Sequence, residues 1–239
     1  VKGIRVADTA WPEIEAQLAA GAVAILPVGA ASKEHGRHLP LDTDCRQAEW
    51  IATQVAQRLS AVVWPTVTYG YYPVFVDYPG SISLREDTFV ALVADILDGI
   101  SRAGASRSVI LNTGISTIAP LASLIGELAE ASPCRLVNVY AGAEFNRIVE
   151  AVSEQSWGGH ADEIETSIML ALDPAVVRLD AARPGIRQIV RGLFSRTDRE
   201  SANYSPDGVN GDPTLATRAK GEQLLAAMVA DVVAAIGRR

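Results

Sequence analysis

The chain has only three histidines, and two of them, His35 and His38, share one short loop with Glu34, Asp42 and Asp44. Imidazole and carboxylate groups crowded together offer lone pairs to a divalent cation such as zinc, manganese or iron at little steric cost. The same residues also suit a plain polar loop in which Asp44 caps the helix that follows. The third histidine, His160, precedes an expected helix, where it acts either as an acid/base or as an ordinary helix-start residue. A second polar cluster, Thr113, Gly114, Ser116 and Thr117, follows Asn112 between an apolar run and a helix. Backbone N–H groups and hydroxyls in that setting cradle a carboxylate, phosphate or oxyanion, or form an ordinary Ser/Thr cap. Aromatic side chains gather in YGYYPVFVDYPGSIS, residues 69–83, a loop whose length points to function. Tyr69, Tyr71, Tyr72 and Phe75, with Trp157 further on, are candidate pocket walls, because flat substrates pack well on aromatic faces.

The elements that must carry these residues alternate along the chain. Continuous apolar runs at 22–28, 61–67, 108–111 and 135–140 read as strands buried on both faces. Helical spacing marks 11–20, opened by a Thr9 cap and stopped at Gly21, then 45–59, 88–103, 118–131, 143–152, 161–172 and 216–238. Residues 176–194 read as a β region. This alternation predicts an α/β fold, a single-domain three-layer α/β/α sandwich over residues 1–239 with a mostly parallel central sheet. Ligands of such sheets bind beyond the carboxyl ends of the strands, which singles out the loops after Val28, Val67 and Leu111.

Composition narrows the function classes. With 239 residues, 49% of them hydrophobic, the chain has ample core for one compact domain. A net charge of −7 argues against nucleic acid or an anionic membrane surface as partner, since either requires a clustered basic face. Arg178, Arg183, Arg187, Arg191, Arg196 and Arg199 are mixed with acids and read as a solvated or intersubunit surface. Cys45 and Cys134 form no C-x-x-C pair and cannot build a disulfide framework, so a reducing, cytoplasmic setting is expected, with a removed signal peptide left open. The apolar stretch 224–236 is broken by Asp231 and is too short to span a membrane.

Several motifs, in order, resemble the creatininase (creatinine amidohydrolase) family. LPVGAASKEHGRHLPLDTD, residues 26–44, is similar to its Pro-Val-Gly, Glu-Gln-His-Gly-x-His-Leu-Pro, Asp loop, in which the glutamate, first histidine and aspartate bind a pair of divalent ions. His35 matches that histidine and Asp44 the bridging aspartate; Lys33 stands at the glutamate position and Glu34 at the glutamine. LNTGIST, residues 111–117, resembles the family's Asn-Gly-His-x-x-Asn, with Gly114 in the histidine's place and Ser116 where an acid could stand. GGHADEIETSIML, residues 158–170, resembles His-Ala-Gly-x-x-Glu-Thr-Ser, so that His160 matches the histidine that protonates the leaving nitrogen and Glu165 the motif's glutamate. YPGSISL at 78–84 and GVNGDPTLATRAKGEQLL at 208–225 extend the resemblance.

The resemblance implies a metal-dependent hydrolase of a non-peptide C–N bond in a small cyclic amide or formamide. It implies one zinc or manganese ion per chain on His35, Asp44 and Glu34, with Glu34 also a candidate general base and His160 the proton donor. Substrate contacts are expected from Tyr69, Tyr71, Tyr72, Phe75, Asn112, Thr113, Gly114, Ser116, Trp157 and Glu165. It also implies a homo-oligomer, a hexamer, in which Tyr71, Tyr72, Val74, Phe75, Val76 and Tyr78 would be covered rather than left as an apolar patch. The changes at Gly114 and Ser116 motivate two alternatives: a binding or scaffold protein that has lost hydrolysis, and a hydrolase or lactonase for another small cyclic substrate.

Overall fold

The computed structural model describes residues 3–128, 133–190 and 192–237. Five strands, β1 (Ile4–Arg5), β2 (Val23–Val28), β3 (Ala61–Val63), β4 (Ser108–Asn112) and β5 (Cys134–Asn138), form one parallel sheet in the order β1-β3-β2-β4-β5. Strand side chains alternate between faces, and the two faces of β2 feed two separate cores. Val23 and Ile25 pack with Ile51 and Val55 of α2 (Thr43–Ala56), Phe145 of α5 (Ala143–Val152), Ile168 of α6 (Glu163–Leu172) and Met228 of α7 (Arg218–Gly237). Ala24, Leu26 and Val28 pack on the other side with Phe89 and Val93 of α3 (Glu86–Arg102) and Leu121 of α4 (Ile118–Glu127). Every β2 residue is buried, as a central parallel strand covered on both faces demands. Helix α1 (Trp11–Ala19) covers β3 through Leu18 and Val62. No helix among the described residues is long and apolar enough to cross a membrane.

The three-layer α/β arrangement is the one the alternation predicts, and several boundaries differ. Edge strand β1 is two residues long and has no apolar run to announce it. The run at 61–67 stops being a ladder at Val63; Pro65 lacks the N–H to continue it, and Val67 makes only an isolated bridge to Val28. The described residues of 176–194 form no sheet segment: 3-10 turns at Pro174–Val176 and Leu179–Ala181 lead into a loop whose Ile186 bridges Asn210. Thr9 does not cap α1; its hydroxyl donates to the Arg5 carbonyl at 2.7 Å and Ala10 holds the cap position. The residues beyond 128 in the helix expected over 118–131 lie outside the described residues, as do Arg191 and Arg238.

One glycine fixes the route from sheet to site. At the end of β2, a Cβ on Gly29 would lie 2.5 Å from the Asp44 carbonyl oxygen, so only glycine lets α2 start against the strand. That contact brings Asp44, in the first turn of α2, under the loop that carries residues 33–38.

Candidate active site

A cavity of about 690 Å³ lies among the loops that follow β2 and β4, and is lined by Lys33, Phe75, Thr113, Ser116, His160 and Glu165 among others. Its size is that of sites for drug-sized ligands, about 300–1,000 Å³. Tyr140, Phe145, Val149, Ile189 and Phe194 make much of its wall apolar.

His160 is held from every side. Its backbone N–H donates to Asn210 at 3.2 Å and its carbonyl accepts from Asn210 N–H at 3.0 Å. Ala161, at φ 50°, is the one non-glycine residue with positive φ among those described, and it turns the chain into α6. Asp162 then caps α6 by accepting from the N–H groups of Ile164 and Glu165. The imidazole packs on Phe75, ring centroids 4.2 Å apart, and its Nε2 lies 3.0 Å from Glu34 Oε2. Glu165 Oε2 lies 3.7 Å from Nδ1. Burial would lower the pKa of His160, but the charge and hydrogen bond of Glu34, followed by the charge of Glu165, outweigh it and raise it above the ordinary value. Burial likewise works to raise Glu34, and His160, the Gly36 N–H and His35 turn the balance downward. The pair is therefore biased toward imidazolium and carboxylate.

Beside this pair sits a second, fully enclosed one. His35 Nε2 lies 3.1 Å from Asp44 Oδ1, and Lys33 Nζ lies 2.6 Å from Asp44 Oδ2. His35 Nδ1 is engaged by the Lys33 carbonyl at 2.9 Å. The buried Asp44 carboxyl, which desolvation would push up, is held well below the usual carboxylate range by Lys33 and then His35. His35, Asp44 and Glu34 are not gathered as one ligand set, because Glu34 turns to His160 and the Gly36 N–H. The trio whose donor atoms do converge, within 4.8 Å of one another, is His35, His160 and Glu165.

The remaining candidates divide. Phe75, Thr113, Ser116, Trp157 and Glu165 line the cavity, Trp157 with the Arg187 guanidinium 4.4 Å from its ring centre. Asn112 works as a loop lock, its side chain bonded to the Gly114 carbonyl, Thr117 and Asn138. Tyr72 is buried beneath Gly114 and the Lys33 ammonium. Tyr69 is 48% exposed and Tyr71 packs on the α3 side of the sheet. The aromatic loop is less exposed than its composition implies, since Tyr72, Phe75 and Tyr78 are buried and Phe75 and Tyr78 pack with Phe194. Sequence reasoning passed over Phe194, Tyr140 and Phe145 as walls; their apolar character in loop and helix segments is shared by too many core residues to be a signal. Lys33 did carry one, a lysine where the resemblance expects a carboxylate.

A cavity at the strand ends of a parallel α/β/α sheet, with the His160 imidazole and the Glu165 carboxylate in its wall, marks the class as an α/β enzyme. The family described as creatininase, creatinine amidohydrolase, matches residues 7–236, and the chain belongs to this family of hydrolases. The mycofactocin precursor peptide peptidase of Mycobacterium tuberculosis (strain ATCC 25618 / H37Rv) is 32% identical over 234 residues, covering 90% of this chain and 84% of that protein. Creatinine amidohydrolase of Pseudomonas putida is 28% identical over 255 residues, covering 98% and 96%. A solved manganese creatininase superposes with a TM-score of 0.83 at 26% identity, over 98% of both chains. A mutant creatininase of Zn–Zn type gives 0.84 at 26%, over 99% of this chain and 98% of that one.

Metal-bound relatives raise the question of which donors remain here. Two imidazoles and a carboxylate, His35, His160 and Glu165, suit a single zinc or manganese ion with open positions for water and substrate. A pair of ions finds no second trio among the described residues.

Proposed function

We propose that this chain hydrolyses a C–N bond in a small cyclic amide or formamide held in the 690 Å³ cavity. The observation that carries the reading is the buried His160–Glu34 pair, 3.0 Å apart, with its imidazole lining the cavity. Glu34 keeps the imidazole charged and oriented, and His160 gives its proton to the departing nitrogen as the C–N bond breaks. Glu165, the carboxylate that lines the cavity, takes the proton of the attacking water, and the hydroxide adds to the carbonyl carbon. Ser116 supplies a hydroxyl for the substrate's oxygen, while the Thr113 hydroxyl is spent on the Val28 and Asp44 carbonyls and shapes the wall. An ion on His35, His160 and Glu165 would polarise the carbonyl and acidify bound water.

Proton transfer and ion binding compete for the same imidazole, and a screen of cyclic amides, formamides and lactones beside elemental analysis separates them. His160→Ala that keeps its metal and loses turnover makes His160 the proton donor; loss of metal makes it a ligand. If metal-replete protein binds compounds from the screen and turns over none, the binding-protein reading replaces this one. A second reading, cleavage at a peptide bond, is favoured by the 32% identity to the peptidase and by a cavity roomier than one small ring needs. Assembly into a homo-oligomer, a hexamer, belongs to the same reading; Val76, Ile189, Val190 and Leu193 are the exposed apolar residues it would cover.

A further inference from the structure

The side chain of Asp44 has no exposed surface, and a carboxylate so placed requires a cation beside it. That cation is part of the chain. Lys33 Nζ meets Asp44 Oδ2 at 2.6 Å with only 7% of its own side chain exposed, and it lies over the rings of Phe75 and Tyr72, 5.3 and 5.7 Å from their centres. The neighbouring position is closed to another ligand: a Cβ on Gly114 would fall 2.7 Å from Thr117 Oγ1 and 3.2 Å from Tyr72 Cε1. A relative of this fold is a Zn–Zn form, whereas here one donor trio is gathered and the charge on Asp44 is already answered.

We propose that the Lys33 ammonium is a tethered cation that replaces one of two divalent ions, so that the site accepts at most one exchangeable ion. Lys33, Asp44, Tyr72 and Gly114 then form one unit. The lysine supplies the charge, the aspartate fixes it, and the tyrosine ring fills the space beside a residue with no side chain. Lys33 also lines the cavity, so the tethered charge faces the substrate where an ion would have stood.

The inference uses the hydrolase reading only to identify the cavity, and its readout is ion stoichiometry, which holds whether or not an amide is turned over. Equilibrium dialysis against Mn²⁺ with elemental analysis should give no more than one ion per chain for the parent and one more for Lys33→Glu. Lys33→Met, close to lysine in shape, leaves Asp44 without its counter-charge. Its melting temperature should rise in Mn²⁺ by roughly 5 °C more than the parent's. Two tightly held ions on the parent overturn the proposal, as does a Lys33→Met protein whose response to Mn²⁺ equals the parent's. Lys33→Met carries the test if Lys33→Glu does not fold.

Discussion

Glu163, the first residue of α6, is a fully buried carboxylate, and its removal is a calculable perturbation. Its Oε1 lies 2.5 Å from Lys220 Nζ, and its Oε2 accepts from Glu154 N–H at 2.9 Å, Gln155 N–H at 2.8 Å and the Ser153 hydroxyl at 3.2 Å. Glu163→Gln keeps the shape, but its amide nitrogen can accept none of these donors. Breaking a buried pair by removing one partner costs about 3–5 kcal/mol. The low end applies, because Lys220 keeps Glu154 and the Leu215 carbonyl. A loss of about 3 kcal/mol in a domain of this size lowers the melting temperature by roughly 6–12 °C. Urea unfolding gives the free energy, and hydrogen exchange at the Glu154 and Gln155 amides should speed up beyond the global change. Glu163→Leu combined with Lys220→Met removes the stranded charge but leaves the Glu154 and Gln155 N–H groups and the Ser153 hydroxyl without their acceptor, so it should recover only part of the loss. A Glu163→Gln protein within 1 kcal/mol of the parent by urea titration, a margin below the ~3–5 kcal/mol of a broken buried pair, would refute the argument.

Further outcomes follow from other residues. His38 is buried with its pKa lowered from 6.5 to about 4, burial being the main cause. The unfolded chain therefore binds more protons between those values, and about 3 kcal/mol of stability, complete above pH 6.5, should drain away as pH falls toward 4; His38→Gln should flatten that limb of the unfolding free energy against pH. Gly208 has φ +73°, and a Cβ there would lie 2.1 Å from Glu34 Cδ. Gly208→Ala should displace Glu34 and reduce turnover at least tenfold for about 1 kcal/mol of backbone strain, the two separated by assay and melting curve. Light scattering should show an assembly larger than the 25.3 kDa chain, and a stable monomer at micromolar concentration would remove the oligomer from the reading.

The sheet was legible because β2 and most of β4 are apolar runs whose burial needs nothing but two covering layers, whereas edge strand β5 carries an exposed Arg135 and is only half-buried; the helices were legible because their spacing persists for nine residues or more. Loop 176–194 was misread because valine and isoleucine count toward a strand whether or not a partner exists; in the fold Ile186 packs beside Phe75, Tyr78 and Phe194, while Ile189 and Val190 line the cavity. The site was legible only in its parts. His35, Asp44 and His160 stand out by residue type and motif, but neither type nor spacing says that Glu34 turns toward His160 while Lys33 takes Asp44. That choice is made by the tertiary contacts of Gly208, Asn210 and Phe75, which no local pattern encodes.

The hydrogen bond from His160 to Glu34 joins positions 126 apart, and the tie from Tyr78 to the Ser205 carbonyl joins positions 127 apart. Among the described residues all five strands and six of the seven α-helices precede residue 203, yet His160 is seated on Asn210 and Glu34 is backed by Gly208. Contacts of such separation form only after the loops between them are closed. On the ribosome the strands can pair while His160 and Glu34 still lack their backing, so the pair is seated only once residues 208–210 have emerged. A chain cut before Gly208 would lose both this backing and the α7 side chains Leu224, Met228 and Val232 that pack under β2, so the seat of the pair and that side of the core stand or fall together.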